Sequence, residues 1–396
     1  MTTPNTATSH KNNTEFHTDQ VLTIALAHFV HDIYTSFVAP LLPLILKKLS
    51  LNLTMAGSLP ALMQFMGVLN PFIGYLDDRI SLRYLVIFAP AISATLMSSM
   101  GLAPNYWSLA VIMILTGISV AAFHAPAPGM VARIAGQRVG RGMSFFMAGG
   151  ELARTLGPLF VIWGVSFWGL EGIWRLMFIG WGVSLLLFWR LRNVSARRAK
   201  TVSLRQATPQ MIRFFIPVGI IVFLRLFLSV SFTTYLPLYM TQHGLGMQAA
   251  GSSLAWIEGA GVIGTLLSGT LSDHLGRRKV LLFAFSASSL LALLFVQASD
   301  IWLIPLLLLI GFTALSTGPI FLALVQDHLP QNRSVGNGIY LSLSFGLRSL
   351  VIMLIGTGGD ILGLTNAISV GAALSLLAIP GLFFLPKIPS VQEASS

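Results

Sequence analysis

The sequence has no cysteine among its 396 residues, and only 9% of its residues are charged. Without cysteine, the chain has no disulfide, no thiol nucleophile and no thiolate metal ligand. It also has no phosphate-binding loop and no His-Glu-x-x-His pair. These absences argue against an ATP-driven pump, a membrane protease or another enzyme, and they imply no metal or other cofactor.

Apolar residues take the place of the missing charge. Hydrophobic residues make up 55% of the chain and the mean hydropathy is +0.79, whereas an average soluble protein carries about 25% charged residues. The net charge of +11 would suggest nucleic acid in a soluble protein. Here the basic residues lie in short loops between apolar runs, which indicates contact with lipid headgroups and argues against a nucleic-acid partner.

Blocks of about 20 apolar residues predict an all-α integral membrane protein with twelve spanning helices. The polar, basic stretch 191–210 is predicted to be a cytoplasmic linker between two six-helix bundles, 20–190 and 211–385. Residues 1–19 and 386–396 are predicted tails. The predicted spans are 20–46, 55–76, 84–103, 106–132, 142–168, 172–190, 211–241, 248–271, 280–298, 301–325, 337–358 and 366–385.

The distribution of lysine and arginine predicts the orientation, because cytoplasmic loops are enriched in both. One set of loops is almost free of cations apart from Lys47 and Lys48. We therefore expect both termini in the cytoplasm and the first span to be an uncleaved anchor. The loops of the basic set carry Arg79, Arg83, Arg138, Arg141, Arg192, Arg197, Arg198, Lys200, Arg205, Arg277, Arg278, Lys279 and Arg333.

One loop pattern occurs twice, after the second span of each half and about 195 residues apart. Each copy has a glycine for close helix approach and a carboxylate where a helix is predicted to end. The carboxylate can pair with neighbouring cations or a helix N-terminus, so the loop is predicted to gate the cytoplasmic side. The alternative is that the basic residues of these loops only fix the orientation of the chain in the membrane. The gating residues are Gly74, Asp78, Arg79 and Arg83 in the first copy, and Gly269, Asp273, Gly276, Arg277 and Arg278 in the second.

The second copy resembles the loop signature of the major facilitator superfamily almost completely, whereas the first has Ser81 in place of the second glycine. Within that superfamily, the chain looks most like the fosmidomycin-resistance group of drug and proton antiporters. The segments that carry this resemblance are 123–126, 131–133, 149–150 and 156–158. The resemblance implies an inner-membrane efflux carrier that works by alternating access, driven by the proton gradient.

Ionisable residues inside the spans are costly in hydrocarbon and mark candidate coupling groups. Asp32 shares a helical face with His28 one turn away, with His31 alongside. We predict that Asp32 is the coupling carboxylate, with either histidine as a relay; structural hydrogen bonding by the histidines is the alternative. Glu151 is expected to form an ion pair with a residue one turn away, and Glu258 completes the candidate proton-coupling groups.

Three arginines inside the spans, Arg154, Arg225 and Arg348, suggest a cavity that holds an anionic small molecule. Guanidinium groups suit carboxylate, phosphate and phosphonate. Salt bridges between the two halves are the alternative role. His124 is predicted to line the cytoplasmic part of the cavity, and the remaining candidate wall residues are Tyr34 and Trp256.

The resulting prediction is a secondary transporter for small drug-like or metabolic compounds, with protons and the lipid bilayer as its other partners. A monomer suffices, because both repeats lie in one chain. A proton symporter that imports an organic acid uses the same parts and stays open. A non-transporting membrane sensor is the third alternative, whereas a channel would need a filter or pore loop, and no such segment interrupts the spans.

Overall fold

The structure, a computed structural model, describes residues 16–77, 82–135, 139–192, 208–328 and 333–385. These residues form α-helices and short 3-10 turns, with no strand among them. The predicted all-α class is therefore confirmed. The linker and both predicted tails fall largely outside the described residues, so the domain boundaries stay predictions.

In the first half, the apolar runs form nine helices in the part of the chain that the structure describes. They are α1 (Thr18–Thr35), α2 (Val38–Leu49), α3 (Leu53–Phe65), α4 (Asn70–Asp77), α5 (Arg83–Ser98), α6 (Tyr106–His124), α7 (Ala127–Ile134), α8 (Val139–Gly172) and α9 (Met177–Leu191).

The second half has the same number of helices in its described segments. They are α10 (Thr208–Thr234), α11 (Leu236–Gln242), α12 (Met247–Leu275), α13 (Arg277–Phe295), α14 (Asp300–Ala314), α15 (Thr317–His328), α16 (Arg333–Leu362), α17 (Leu364–Leu376) and α18 (Ala378–Gly381).

The two halves break their first and fourth crossings at equivalent places. The first crossing is split between α1 and α2 and its counterpart between α10 and α11; the fourth is split between α6 and α7 and its counterpart between α14 and α15. The second piece of each has a proline in its first turn: Pro40, Pro128, Pro237 and Pro319. Proline lacks the N–H that would bond to the preceding turn, so it is well suited to the first turn after a break.

Ten helical stretches within the described residues are long and apolar enough to cross a membrane. Two differences from the twelve predicted spans have local causes. One stretch, Phe145–Leu191, contains two predicted spans, and Gly169 with a φ of 68° makes a kink between them. The predicted span 55–76 is interrupted by a 3-10 turn at Met66–Leu69. The twelve-helix arrangement therefore agrees with the structure.

The bundle has two ends. The N–H of His17 bonds to the carbonyl of Ile134 at 3.2 Å, and the Arg278 guanidinium bonds to the carbonyl of Leu385 at 2.8 Å. We call this end the terminal face, because both ends of the described chain lie there. The opposite end, where α2 leads into α3 and α16 leads into α17, is the distal face.

The halves pack against each other along two seams, α3 against α16 and α8 against α12. At the first seam, the hydroxyl of Ser349 donates to the carbonyl of Ala61 at 2.8 Å. Nearer the distal face, the Asp360 carboxylate accepts from the N–H groups of Leu53 and Thr54 at 2.7 and 2.8 Å. A cavity lies between the seams, on the terminal side of these contacts.

Candidate functional site

The cavity between the halves has a volume of about 220 Å³. It is bordered by both bundles and by both polar and apolar side chains, as a site for a small polar molecule requires. The first half contributes Asp32, Thr35, Ser36, Val38, Ala39, Pro60, Met63, Gln64, Gly67, Val120, His124, Arg154 and Pro158, and the second half contributes Thr233, Thr234, Leu254, Glu258, Phe345 and Arg348.

Asp32 lies at the centre of a histidine cluster in the first half. Its side chain is buried, and its two carboxylate oxygens contact three imidazoles. His28 Nε2 lies 3.2 Å from Oδ2, His31 Nδ1 lies 3.0 Å from Oδ1, and His124 Nε2 lies 3.5 Å from Oδ1. The predicted neighbourhood of Asp32, His28 and His31 is therefore present, and the fold adds His124 to it.

Two glycines bring the fifth crossing against this cluster. A Cβ on Gly149 would come within 2.5 Å of the carbonyl of Ala25, and one on Gly150 within 2.5 Å of the His28 ring. Only glycine permits this approach of α8 to α1. The close packing places the next turn of α8, with Arg154, beside the cavity.

Arg154 connects the two halves electrostatically. It pairs with Glu151 three residues earlier on α8, as the sequence predicts, and its Nε lies 3.8 Å from Glu258 Oε2 on α12. Arg154 and Glu258 both border the cavity. A cation shared by two carboxylates of different halves is a link that a substrate or proton can compete for.

Arg348 faces the cavity from the second half. Its guanidinium donates to Thr233 Oγ1 at 2.6 Å, and the Thr233 hydroxyl donates to the carbonyl of Ser229 at 2.8 Å. Thr233 therefore orients the guanidinium without neutralising it. A guanidinium held in this way leaves donors for an anionic ligand.

Two predicted wall residues lie away from this cavity. The hydroxyl of buried Tyr34 donates to the carbonyl of Leu176 at 2.5 Å, and its ring packs on Phe37. Trp256 is 47% exposed and lines a separate groove of about 660 Å³ on the outside of α8, α12 and α14. Both residues belong to helices that line the cavity, α1 and α12, but their side chains project from other faces of these helices. Neither residue is therefore part of the lining of this cavity, and their substrate contact stays a prediction.

Arg225 also lies outside the cavity lining. Its guanidinium sits 5.8 Å from the ring centre of Phe321, and its buried Nε has no hydrogen-bond partner among the described residues. The structure therefore brings Arg154 and Arg348 together with Asp32, His124 and Glu258, but not Arg225. Its predicted substrate contact has no support in this arrangement.

Several polar cavity residues carry no sequence signal of their own. Thr35 and Ser36 border the cavity where α1 breaks, and both hydroxyls donate to the carbonyl of Asp32, at 3.0 and 2.8 Å. Gln64 and Thr233 are uncharged and occur among many similar residues. The break before Pro40 was the one signal that could have directed attention to Thr35 and Ser36.

The second copy of the repeated loop lies at the terminal face, where Arg278 contacts Leu385. Gly269 and Asp273 lie in the last turns of α12, and Gly276 ends this helix with a φ of 92°, a conformation that favours glycine. Arg277 donates to Ser272 at 2.6 Å and pairs with Asp327 at 3.4 Å.

The first copy is only partly described. Gly74 lies in α4 and Arg83 begins α5. Asp78 and Arg79 lie outside the described residues. The gating role of both copies stays a prediction.

His28, Asp32 and His124 also bring three potential metal-ligand atoms within 4.8 Å of one another. Those atoms already contact each other at distances between 3.1 and 3.5 Å. These separations are hydrogen-bond distances, so hydrogen bonding accounts for the contacts.

Comparison with known proteins agrees with this arrangement. The family model of the Major Facilitator Superfamily matches residues 24–351. The chain is similar to the fosmidomycin resistance protein of Escherichia coli (strain K12), at 24% identity over 375 residues, covering 91% of each chain.

Solved structures share the fold. A bacterial homologue of the human lysosomal transporter Spinster, in an inward-facing and occupied conformation, superposes with a TM-score of 0.77 at 14% identity over 93% of this chain and 96% of that one. A D-xylose–proton symporter superposes with a TM-score of 0.71 at 16% identity over 93% and 97%.

Proposed function

The chain belongs to the Major Facilitator Superfamily, and from this premise we propose that it is a proton-coupled exporter of small compounds. The family and the relatives are transporters rather than enzymes. The protein is a multi-pass membrane protein. Its proposed location is the bacterial inner membrane, with the terminal face in the cytoplasm, in keeping with the basic loops on that side.

The proposal rests on one observation: a buried carboxylate–histidine cluster and an arginine border the same cavity from opposite halves. Asp32 and His124 form one side and Arg348 the other. A proton site and an anion site in one cavity can be coupled, because each changes the electrostatic free energy of occupying the other. Arg154 and Glu258 lie between them and link the two halves.

The proposed substrates are small drug-like or metabolic compounds that include anions. Arg348 retains guanidinium donors toward the cavity, and this arrangement suits a carboxylate, phosphate or phosphonate. The name of the Escherichia coli relative adds fosmidomycin as the first compound to test. In the proposed cycle, the halves rock about the cavity, so that it faces one side of the membrane at a time.

The deciding experiment is gradient-driven flux in liposomes that contain the purified protein. An exporter that exchanges substrate for protons concentrates the substrate on the acidic side of an imposed pH difference. A symporter, the second reading, concentrates it on the alkaline side. Fosmidomycin, simple phosphonates and organic acids form the test panel, and binding without flux would favour a sensor and contradict the proposal.

A matched pair of variants tests the coupling role of the cluster. Asp32→Asn removes the charge beside the cavity, and we expect it to abolish accumulation driven by the pH difference. Asp19→Asn changes a carboxylate on the same helix that pairs with Arg190 at 3.6 Å at the bundle surface, and we expect it to retain accumulation. Unchanged accumulation in Asp32→Asn would contradict proton coupling through this residue.

A further inference from the structure

Two histidines in the cluster present the same ring nitrogen to each other. His28 Nε2 and His124 Nε2 lie 3.1 Å apart, which is a hydrogen-bond distance. They come from α1 and α6, two helices of the same half. A hydrogen bond between them needs a proton on one of the two nitrogens.

The other nitrogen of each ring is already committed as a donor. His28 Nδ1 lies 2.7 Å from the carbonyl oxygen of Phe146, and His124 Nδ1 lies 3.0 Å from the carbonyl oxygen of Val120. A carbonyl oxygen can only accept a hydrogen bond, so each Nδ1 carries its hydrogen. A neutral imidazole has only one N–H. If both rings were neutral, each Nε2 would therefore carry a lone pair and no hydrogen, and the two lone pairs would face each other.

This conflict is removed by one additional proton. We propose that His28 and His124 share a proton in an Nε2–H···Nε2 hydrogen bond and that this pair, rather than the Asp32 carboxyl group, is the proton-binding site of the transporter. This deepens the proposed function and rests on it. Asp32 is then the counterion, with its oxygens 3.2 and 3.5 Å from the two nitrogens.

The surroundings separate this pair from His31. The Nδ1 of His31 lies 3.0 Å from Asp32 Oδ1 and its Nε2 lies 3.1 Å from Ser93 Oγ. In a neutral His31, Nδ1–H can donate to Asp32 Oδ1 while Nε2 accepts from the Ser93 hydroxyl. His31 therefore needs no additional proton. We assign it as a positioning residue that orients Asp32, although from the sequence alone His28 and His31 are equivalent candidates for the relay.

Of the two histidines, His124 is the one that borders the cavity. His28 is 4% exposed and its ring stacks on Phe146 at 4.0 Å, so it lies behind the cavity wall. The His124 side chain is 27% exposed and borders the cavity. A proton therefore enters or leaves through His124, while His28 holds the inner end of the hydrogen bond.

Charged groups on the neighbouring helices connect the pair to the rest of the protein. Asp32 and His31 on α1 and Arg154 on α8 interact electrostatically with the pair, and Glu151 on α8 and Glu258 on α12 are the further partners of Arg154. Arg154 interacts electrostatically with Asp32 as well as with both glutamates. When the pair loses its proton, Asp32 loses part of its compensating charge, and its attraction for Arg154 grows. Arg154 is then drawn from Glu258, which weakens the link between the halves.

Nitrogen magnetic resonance tests the proton directly. The full-length protein, labelled with ¹⁵N-histidine and held in lipid nanodiscs near neutral pH, should show a ¹⁵N–¹⁵N coupling between two histidines across the hydrogen bond. His124→Gln should abolish this coupling. His243→Gln is the matched control, because His243 makes the same Nδ1 contact with the carbonyl four residues earlier, at 2.8 Å, on the exposed end of α11; it should keep the coupling.

Two results would overturn the proposal: a wild-type spectrum without a coupled histidine pair, or a coupling that survives His124→Gln. The wild-type spectrum is informative even if the variant does not fold. The measurement involves no substrate and no flux. The coupling can therefore be present when the transport assay shows no flux, and flux can be present when no coupling is found. The two proposals can therefore fail separately.

Discussion

Asp360 links the two halves at the distal face, and its replacement by asparagine should open that face more often. The carboxylate of Asp360, at the end of α16, caps the first turn of α3 in the other half. It accepts from the N–H groups of Leu53 and Thr54 and from the Thr54 hydroxyl, at 2.7, 2.8 and 2.5 Å. These bonds form only when the halves meet at the distal face.

The size of the effect follows from these contacts. A hydrogen bond to a charged group contributes about 1.5–3 kcal/mol when buried, and a carboxylate at a helix N-terminus adds about 0.3–1 kcal/mol. Asp360 is exposed, so water screens much of this energy. Asparagine also keeps one acceptor oxygen. We expect a net loss of about 1–2 kcal/mol, which multiplies the ratio of distal-open to distal-closed molecules by about 5 to 30.

Distances between spin labels measure this ratio. The natural sequence has no cysteine, so two introduced cysteines are the only labelled positions. Trp107 at the start of α6 and Ile301 in the first turn of α14 are 75% and 80% exposed, and they lie near the distal face in different halves. In a doubly labelled W107C/I301C protein, Asp360→Asn should enlarge the long-distance population.

The control is a carboxylate that makes its ion pair within one half. Glu171 pairs with Lys48 at 2.7 Å, also toward the distal face. Glu171→Gln removes the same charge but breaks no contact between the halves, so its distance distribution should match that of the parent protein. An unchanged distribution in Asp360→Asn, or an equal change in both variants, would refute the assignment of Asp360.

Three further predictions concern other contacts. A Cβ on Gly57 would overlap the Tyr235 hydroxyl, so Gly57→Ala should open the distal face in the same spin-label measurement. Adding Tyr235→Phe to this variant removes the hydroxyl and should restore the closed distance distribution. If the distribution is not restored, the overlap is not the cause. Arg348→Met should weaken substrate binding at least about tenfold by calorimetry, because a charged hydrogen bond is lost, whereas Arg225→Met should leave the affinity unchanged; equal losses would place both in the site. Tyr34→Phe should lower the free energy of unfolding by about 1–2 kcal/mol, since a buried carbonyl loses its partner; a stable variant with weakened substrate binding would contradict this structural role.

The sequence identified candidate residues best where a residue type is energetically costly in a membrane or has a distinct backbone preference. Asp32 and Arg154 stood out because charge is costly in a membrane, and both border the cavity. Gly276 stood out in the repeated loop, and it adopts a positive φ where α12 ends. The same reasoning selected Arg225, which lies outside the cavity lining. The energetic cost of a charge in a membrane marks a residue as unusual, but it does not indicate which side of its helix the residue faces.

By itself, the sequence determined the membrane class and the helical repeat. These depend on hydropathy over about 20 residues, which is a local property. Only the tertiary structure decided that His124, 96 residues from His28, meets it at 3.1 Å and that Arg154 reaches Glu258 in the other half. Such contacts depend on how helices rotate and approach, which glycines such as Gly150 permit but do not specify. The proposed proton site is therefore a property of the assembled bundle.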